Sequence, residues 1–238
     1  MKKSTLALLV AGALIAGPAV AYEKGDWLVR GGLTTVAPDD SSTDILVGGS
    51  NSLPEVGVVG GVSVGNDTQL GLNIAYFFAD KWNVEVLAAT PFKHDIDFAL
   101  GNLATTKHLP PTVTANYFFA DPAAKFQPYA GVGFNYTVFF DEEFNGATVD
   151  AVQAATTGTT LPAGAEISNL DLDASFGFSA QVGFDYELTK RMFLNASVRY
   201  IDIETEASFD VEGLGNVGAV EKVTIDPWVY TLSLGYRF

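Results

Sequence analysis

The chain has 238 residues, a formal net charge of −15 at neutral pH and no cysteine. The missing cysteines exclude disulfides, thiolate nucleophiles and cysteine-ligated metals. The acidic excess argues against nucleic acid as a partner, because backbone phosphates are bound by surplus lysine and arginine.

Residues 1–21 predict a cleaved signal peptide, so that the chain is exported through the periplasm. Two lysines precede an apolar run at 6–16, and a small residue, Ala21, ends the segment. The run is too short to cross a bilayer comfortably as a helix, which makes a retained anchor the weaker alternative. The mature chain, 22–238, keeps 11 basic and 28 acidic residues.

In the mature chain, apolar residues recur at every second position. The hydrophobic fraction is 48%, yet no stretch approaches the ~18 consecutive apolar residues of a membrane helix. Period two is the pattern of a β-strand whose faces meet different environments. The segment 68–78 is typical, with one small or polar face and one face that carries Leu70, Leu72, Ile74, Tyr76 and Phe78.

Eight such segments are predicted as strands, and their connections alternate between short and long. The predicted strands are 26–36, 68–78, 82–90, 110–119, 127–140, 171–187, 192–204 and 222–238. Three connections are short turns. The four long connections are rich in Gly, Ser, Thr, Asp and Pro, which is typical of loops, and they cover about 37–67, 91–109, 141–170 and 205–221.

This pattern predicts an all-β fold, an eight-stranded antiparallel up-and-down transmembrane β-barrel of the bacterial outer membrane. The even strand number places both termini on the periplasmic side, with the long loops outside the cell. The outward faces then contact membrane lipid, and aromatic residues such as Trp27, Trp82 and Trp228 lie at their ends. A soluble sandwich, which would bury the apolar faces in a core, is the alternative that period two alone leaves open.

The chain ends inside the last predicted strand, on Tyr236, Arg237 and Phe238. In a closed barrel the last strand pairs with the first, so this end is not a free edge. Tyr236 and Phe238 resemble the C-terminal signal by which outer-membrane barrels are recognised for insertion. The barrel-assembly machinery is therefore an expected partner.

Four segments resemble the outer membrane protein W family, which includes the alkane-uptake barrel of hydrocarbon-degrading bacteria. They are 64–96, 107–119, 125–141 and 223–238, and they contain the stretches ATPF and HLPPT. The loop at 141–170 departs from the family pattern. The resemblance implies a monomeric eight-stranded barrel that passes small hydrophobic molecules through an apolar funnel and a sideways exit into the bilayer.

The inward faces predict a lumen with two chemically different parts. Near the periplasmic end, four charged residues are expected to pair as a polar floor, because unpaired buried charges are costly; these are Arg30, Glu85, Asp185 and Arg199. Towards the outside, the inward residues form an expected hydrophobic pathway of Leu87, Phe139, Ile201, Ile203 and Val229. The alternative is that the polar floor is only a barrel core.

A sideways exit is expected where prolines interrupt the barrel wall. Pro110 and Pro111 open the fourth predicted strand, and Pro91 ends the third. Proline cannot donate to a strand ladder, so missing bonds could leave a lateral gate there. The alternative is that these prolines only mark strand ends.

Other functions have weaker support. His94 and His108, at the two ends of one predicted loop, have no third metal ligand nearby in sequence and no evident nucleophile. We expect no metal, no cofactor and no enzymatic activity. The remaining alternative is a structural or adhesive barrel whose loops bind other molecules while its lumen stays closed.

Overall fold

A computed structural model describes residues 22–42, 46–47, 62–98, 101–150, 167–211 and 215–238. The predicted signal peptide lies outside these residues. The described residues form sixteen strands: β1 (Trp27–Ala37), β2 (Ser41–Ser42), β3 (Leu46–Val47), β4 (Ser63–Val64), β5 (Asp67–Ala79), β6 (Trp82–Ala89), β7 (Phe92–Phe98), β8 (Gly101–Leu109), β9 (Thr112–Phe118), β10 (Phe126–Phe144), β11 (Ile167–Leu172), β12 (Ser175–Glu187), β13 (Met192–Ile201), β14 (Glu204–Val211), β15 (Gly215–Thr224) and β16 (Trp228–Arg237). Residues 146–150 are helical, and no helix in the described ranges is long and apolar enough to cross a membrane.

Eight of the strands form a closed antiparallel barrel, as the sequence predicts. Their order is β1, β5, β6, β9, β10, β12, β13 and β16. The last strand pairs with the first through ten residue pairs, from Leu28↔Arg237 to Ala37↔Trp228. The backbone nitrogen of Phe238 also donates to the carbonyl of Trp27, over 2.9 Å. The chain therefore ends inside the barrel seam.

The long connections contain strands that rise above the barrel. β7 and β8 form a hairpin within the expected loop at 91–109, and β4 and the upper part of β10 flank it. β11, β14, β15, β2 and β3 form a second sheet. We call β4, β7, β8 and the upper part of β10 the hairpin sheet, and we call β2, β3, β11, β14 and β15 the second sheet. The expected loops at 37–67, 141–170 and 205–221 also supply strand residues to these sheets.

Two predicted barrel strands begin later than their alternation suggested. The sixth was expected from 171, but 171–172 belong to β11 and the barrel strand starts at Ser175. The eighth was expected from 222, but 222–224 belong to β15. Asp226 has a positive φ of 36°, and Pro227 cannot donate to a ladder, so the backbone turns between the second sheet and the barrel.

The outer surface of the barrel is an apolar band. Its exposed large side chains include Leu70, Leu72, Val132, Phe134, Val182, Leu232 and Leu234. At the periplasmic end, Trp27 lies against Tyr76 and Trp82 against Tyr117, with ring centroids 4.9 and 5.0 Å apart. An apolar band with aromatic girdles is the surface that membrane lipid requires of a barrel.

Candidate functional site

The polar floor residues meet in the lower lumen. Arg30 donates to Glu85 Oε2 over 2.6 Å and to Asp185 Oδ2 over 2.8 Å, while Arg199 donates to Glu85 Oε1 over 2.6 Å. All four side chains are buried. Two cations and two anions make the set formally neutral, which buried charges require.

Neutral polar side chains extend this network across the lumen. Gln181 accepts from Arg199 and donates to Glu85 and to Asn116, which in turn donates to Asn83. Asn195 donates to Asp185 over 2.8 Å. These contacts join side chains from β6, β9, β12 and β13, so the floor connects opposite walls of the barrel.

An aromatic layer that the sequence analysis missed closes the barrel below the floor. Its buried residues are Tyr22, Leu28, Ala75, Phe77, Phe118, Tyr129 and Phe193. Tyr22 lies before the first strand, and its ring is 4.9 Å from Phe77 and 5.5 Å from Phe118. Its hydroxyl donates to Asp185 over 3.0 Å. The floor and the aromatic layer together seal the periplasmic end.

Above the floor, one side of the lumen is more polar than expected. Neighbouring strands β9, β10 and β12 present buried hydroxyl and amide groups there: Thr112, Thr114, Asn135, Thr137, Ser175 and Ser179. Three of these bond to one another, because Asn135 donates to Thr112 and Thr137 donates to Asn135. Thr34, Thr231 and Asn73 are also buried on β1, β16 and β5, so the expected apolar upper lumen is only partly apolar.

The apolar side combines residues of the barrel with residues of the extracellular strands. Of the expected hydrophobic pathway, Ile201, Ile203 and Val229 belong to one buried cluster, and Phe139 packs against it. Leu87 is buried outside this cluster. The cluster also contains residues that the sequence analysis did not select: Val36, Phe92, Ala207, Val223 and Ile225.

An apolar cavity of about 70 Å³ lies above the barrel lumen, between the hairpin sheet and the second sheet. Ile96 and Ala104 line it from the hairpin sheet, and Leu172 and Phe209 from the second sheet. Phe144 contacts Phe209 edge-to-face at 6.1 Å and joins the two sheets. The cavity walls thus come largely from segments that the sequence predicted as loops.

The three prolines lie where the ladder between β6 and β9 is interrupted. Pairing ends at Leu87↔Thr112 and resumes in the hairpin at Phe92↔His108. Between these pairs, residues 88–91 lie opposite residues 109–111. The structure describes both segments completely, and they form no strand pairs with each other. On the other side, the carbonyl of Pro111 accepts from Tyr136 of β10 over 3.1 Å. The interruption is therefore confined to one seam.

The two histidines stack on each other in the hairpin. Their ring centroids are 4.8 Å apart with an interplanar angle of 18°, and His108 also stacks on Phe92 at 5.4 Å. The outer side of the hairpin carries Lys107, which pairs with Asp141 in solvent, so the histidines lie above the membrane. Burial lowers the pKa of His94, and burial together with His94 lowers the pKa of His108 to about 3. Both rings are therefore neutral at physiological pH.

The C-terminal aromatics lie on the outer surface. The rings of Tyr236 and Phe238 contact each other at 4.8 Å, and the Tyr236 hydroxyl accepts from Arg191 over 3.0 Å. Phe238 is 70% exposed on the protein surface. Neither side chain enters the lumen.

Known proteins resemble this chain over nearly its whole length. A family model described as the OmpW family matches residues 23–238. Outer membrane protein W of Vibrio cholerae serotype O1 is 42% identical over 244 residues, which cover 100% of both chains. Outer membrane protein AlkL of Ectopseudomonas oleovorans is 29% identical over 223 residues, or 91% of this chain and 84% of that protein. The crystal structure of outer membrane protein OprG from Pseudomonas aeruginosa superposes with a TM-score of 0.75 at 39% identity, over 92% of this chain and 98% of that one.

Proposed function

Because the chain belongs to the OmpW family and is an outer-membrane β-barrel, we propose that it lets small hydrophobic molecules enter the cell passively. It does so as a monomer that the barrel-assembly machinery inserts. The observation that carries this proposal is the apolar cavity above a sealed floor. At about 70 Å³ the cavity must widen to admit a medium-chain solute from outside, and the floor below it offers no straight path to the periplasm.

The floor supports a path that avoids the periplasmic end. An eight-stranded barrel has an interior that side chains fill, and here the filling is a buried ion network over an aromatic layer. A hydrophobic solute would have to break several charge-assisted bonds to pass it. Water-filled conduction through the whole barrel is disfavoured for the same reason.

The interrupted ladder supports a lateral exit. Phe92, just above the interruption, belongs to the apolar cluster, and Ala89 packs against that cluster. Pro111 is exposed on the outer surface at the same height. None of the three prolines lines the cavity, but the apolar cluster that lines it through Ile203 and Ala207 also reaches this section of wall through Phe92 and Ala89. We therefore propose Pro91, Pro110 and Pro111 as the gate.

Uptake measurements test this function. Cells with and without the protein receive a radiolabelled medium-chain alkane and a small hydrophilic sugar, after a heat-shift gel confirms a folded barrel. Faster alkane entry with unchanged sugar entry is expected. Faster entry of both would indicate a water-filled pore, and unchanged entry of both would favour a binding role for the extracellular strands.

Variants of the apolar cluster and of the cavity locate the path of the solute. Ile201, which is fully buried in the apolar cluster, becomes Asp in one variant and Leu in a conservative control. Ala207→Phe fills the cavity from β14 without adding charge. Alkane entry should fall in the Asp and Phe variants and persist in the Leu variant. Normal entry through correctly inserted Asp and Phe variants would exclude this path.

A further inference from the structure

Two buried polar atoms of residues that line the apolar cavity have no hydrogen-bond partner. His94, Thr106, His108 and Thr205 are polar residues of its lining. The threonine hydroxyls donate to backbone carbonyls, Thr106 to Lys107 and Thr205 to Asp173. The Nε2 atoms of the two histidines are buried and unpartnered. Only 2% of His94 and 4% of His108 is exposed.

The stacked geometry prevents the two rings from satisfying each other. A ring N–H lies in the plane of its own imidazole, and these planes are nearly parallel, at 18°. Each Nε2 therefore points past the other ring. A buried polar group without a partner costs free energy in a folded protein. A bound molecule that supplies the missing hydrogen bond would therefore gain binding free energy.

The tautomer of His94 fixes what this partner must be. Its Nδ1 lies 2.5 Å from the carbonyl oxygen of Gly65. A carbonyl can only accept, so Nδ1 donates, and in a neutral imidazole the other nitrogen then has the free lone pair. His94 Nε2 is therefore a buried acceptor without a partner, on a side chain that lines the apolar cavity.

We propose that the cavity selects hydrophobic solutes that carry a hydroxyl group, such as medium-chain alcohols and phenols, with the hydroxyl donating to His94 Nε2. The apolar lining holds the hydrocarbon part of the solute. Ethers and esters, which only accept, cannot make this bond. The proposal rests on the hydrophobic-solute function and narrows its substrate class.

A metal ion fits these atoms less well. Structural and catalytic metal sites use three or four protein ligands, and no group of three His, Cys, Asp or Glu is placed to hold an ion within the described ranges. A hydroxyl needs only one acceptor, which His94 provides.

Nitrogen NMR on the two histidines tests the binding step directly. The chain contains 2 histidines, so the full protein labelled with ¹⁵N-histidine in phosphatidylcholine nanodiscs gives two assignable rings. The probes are 1-decanol, decane and methyl decyl ether. A change in the His94 Nε2 shift with decanol, and none with decane or the ether, is expected. No change with decanol, or an equal change with the ether, would overturn the proposal.

Uptake of a matched pair of solutes tests its consequence. The ratio of 1-decanol entry to decane entry is compared among the natural protein, His94→Phe and Lys107→Gln, an outward change on the same hairpin. His94→Phe should lower the ratio roughly fivefold, the affinity equivalent of one ordinary hydrogen bond. Lys107→Gln should not change it.

The two experiments separate the two proposals. If the natural protein accelerates the entry of neither solute, the proposed transport function is wrong. The His94 nitrogen chemical shift in nanodiscs still decides whether the hydroxyl group binds. If both solutes enter faster and His94→Phe keeps the natural ratio, transport stands and hydroxyl selection is overturned. A heat-shift gel shows whether each variant is folded.

Discussion

The guanidinium of Arg30 lies 2.6 Å from the carboxylate of Glu85, and both side chains are almost completely excluded from solvent. The other carboxylate oxygen of Glu85 accepts from Arg199. One carboxylate thus balances two arginines that come from β1 and β13. A buried charge that loses its partner is strongly destabilising, so the integrity of the floor depends on Glu85.

Glu85→Gln should therefore destabilise the barrel by about 3–5 kcal/mol, because it leaves Arg199 buried without an ionised partner. Urea unfolding in lipid vesicles measures the change. Glu143→Gln, an exposed carboxylate on β10, is the control and should be nearly neutral. The double variant Glu85→Gln with Arg199→Gln should recover part of the loss, because it removes the uncompensated charge. Additive losses in the double variant would contradict this account of the floor.

A reversible cross-link tests the proposed gate. The chain has no native cysteine, so Ala88→Cys and Pro111→Cys introduce a single pair across the interrupted seam. Both residues are exposed on the outer surface. If the pairing Leu87↔Thr112 is continued by one residue, Ala88 lies opposite Pro111. Oxidation should slow alkane entry, because a disulfide closes the wall, and a reductant should restore it.

The control pair for this cross-link lies just above the gate. Lys93 and Lys107 are paired across the intact hairpin, and both can be changed to Cys. Oxidation of this pair should leave alkane entry unchanged. If both pairs slow entry equally, the effect comes from stiffening the hairpin and not from closing the gate.

The sequence predicted the barrel strands well because each has two different faces. Leu70 and Leu72 meet lipid while Asn73 is buried in the lumen, and this contrast is visible as period two. The aromatic layer was missed because Tyr76, Phe77 and Phe78 are all aromatic, as are 117–119. In these runs the inward ring is flanked by girdle rings, so alternation no longer distinguishes the faces.

The cavity was missed in part because its walls pair distant segments. β11 pairs with β14, and β15 pairs with β2 and β3. Their Gly, Ser and Asp content resembles that of loops, and only the partner strands reveal which side is buried. Phe139, Ile201 and Ile203 were identifiable because they continue the alternation of barrel strands. The stacking of His94 on His108 required the hairpin register, which sequence spacing did not provide.

His108 should remain neutral far below the usual pKa of histidine, and the pKa of His94 is also lowered. Burial opposes the charged form of both rings, and the folded pKa of His108 is about 3. Asp67 raises the pKa of both rings and Asp95 that of His94, but burial outweighs them. Since unfolded histidine titrates near 6.5, the unfolded state binds more protons between these values. The contribution to stability is complete above pH 6.5 and is lost as pH falls towards 3.

Histidine NMR over this pH range provides the measurement. Neither ring should show a titration step near 6.5 in the folded protein. His108→Phe removes the histidine whose pKa is lowered most. It should make the hairpin less sensitive to acid, as measured by hydrogen exchange of β7 and β8. A step near 6.5 for His108 would show that the ring is accessible to water.

The terminal residue should matter for assembly more than for the stability of the finished barrel. Phe238→Ala keeps the backbone bond to Trp27 and removes one ring at the membrane interface. Phe126→Ala is the matched control, because Phe126 is also an exposed aromatic at the periplasmic end. Each change should lower unfolding stability in vesicles by a similar amount, on the order of 1–3 kcal/mol for one aromatic ring. Only Phe238→Ala should lower the amount of barrel inserted in cells, because only it alters the proposed insertion signal. Equal losses of inserted protein would assign Phe238 the role of an ordinary girdle residue.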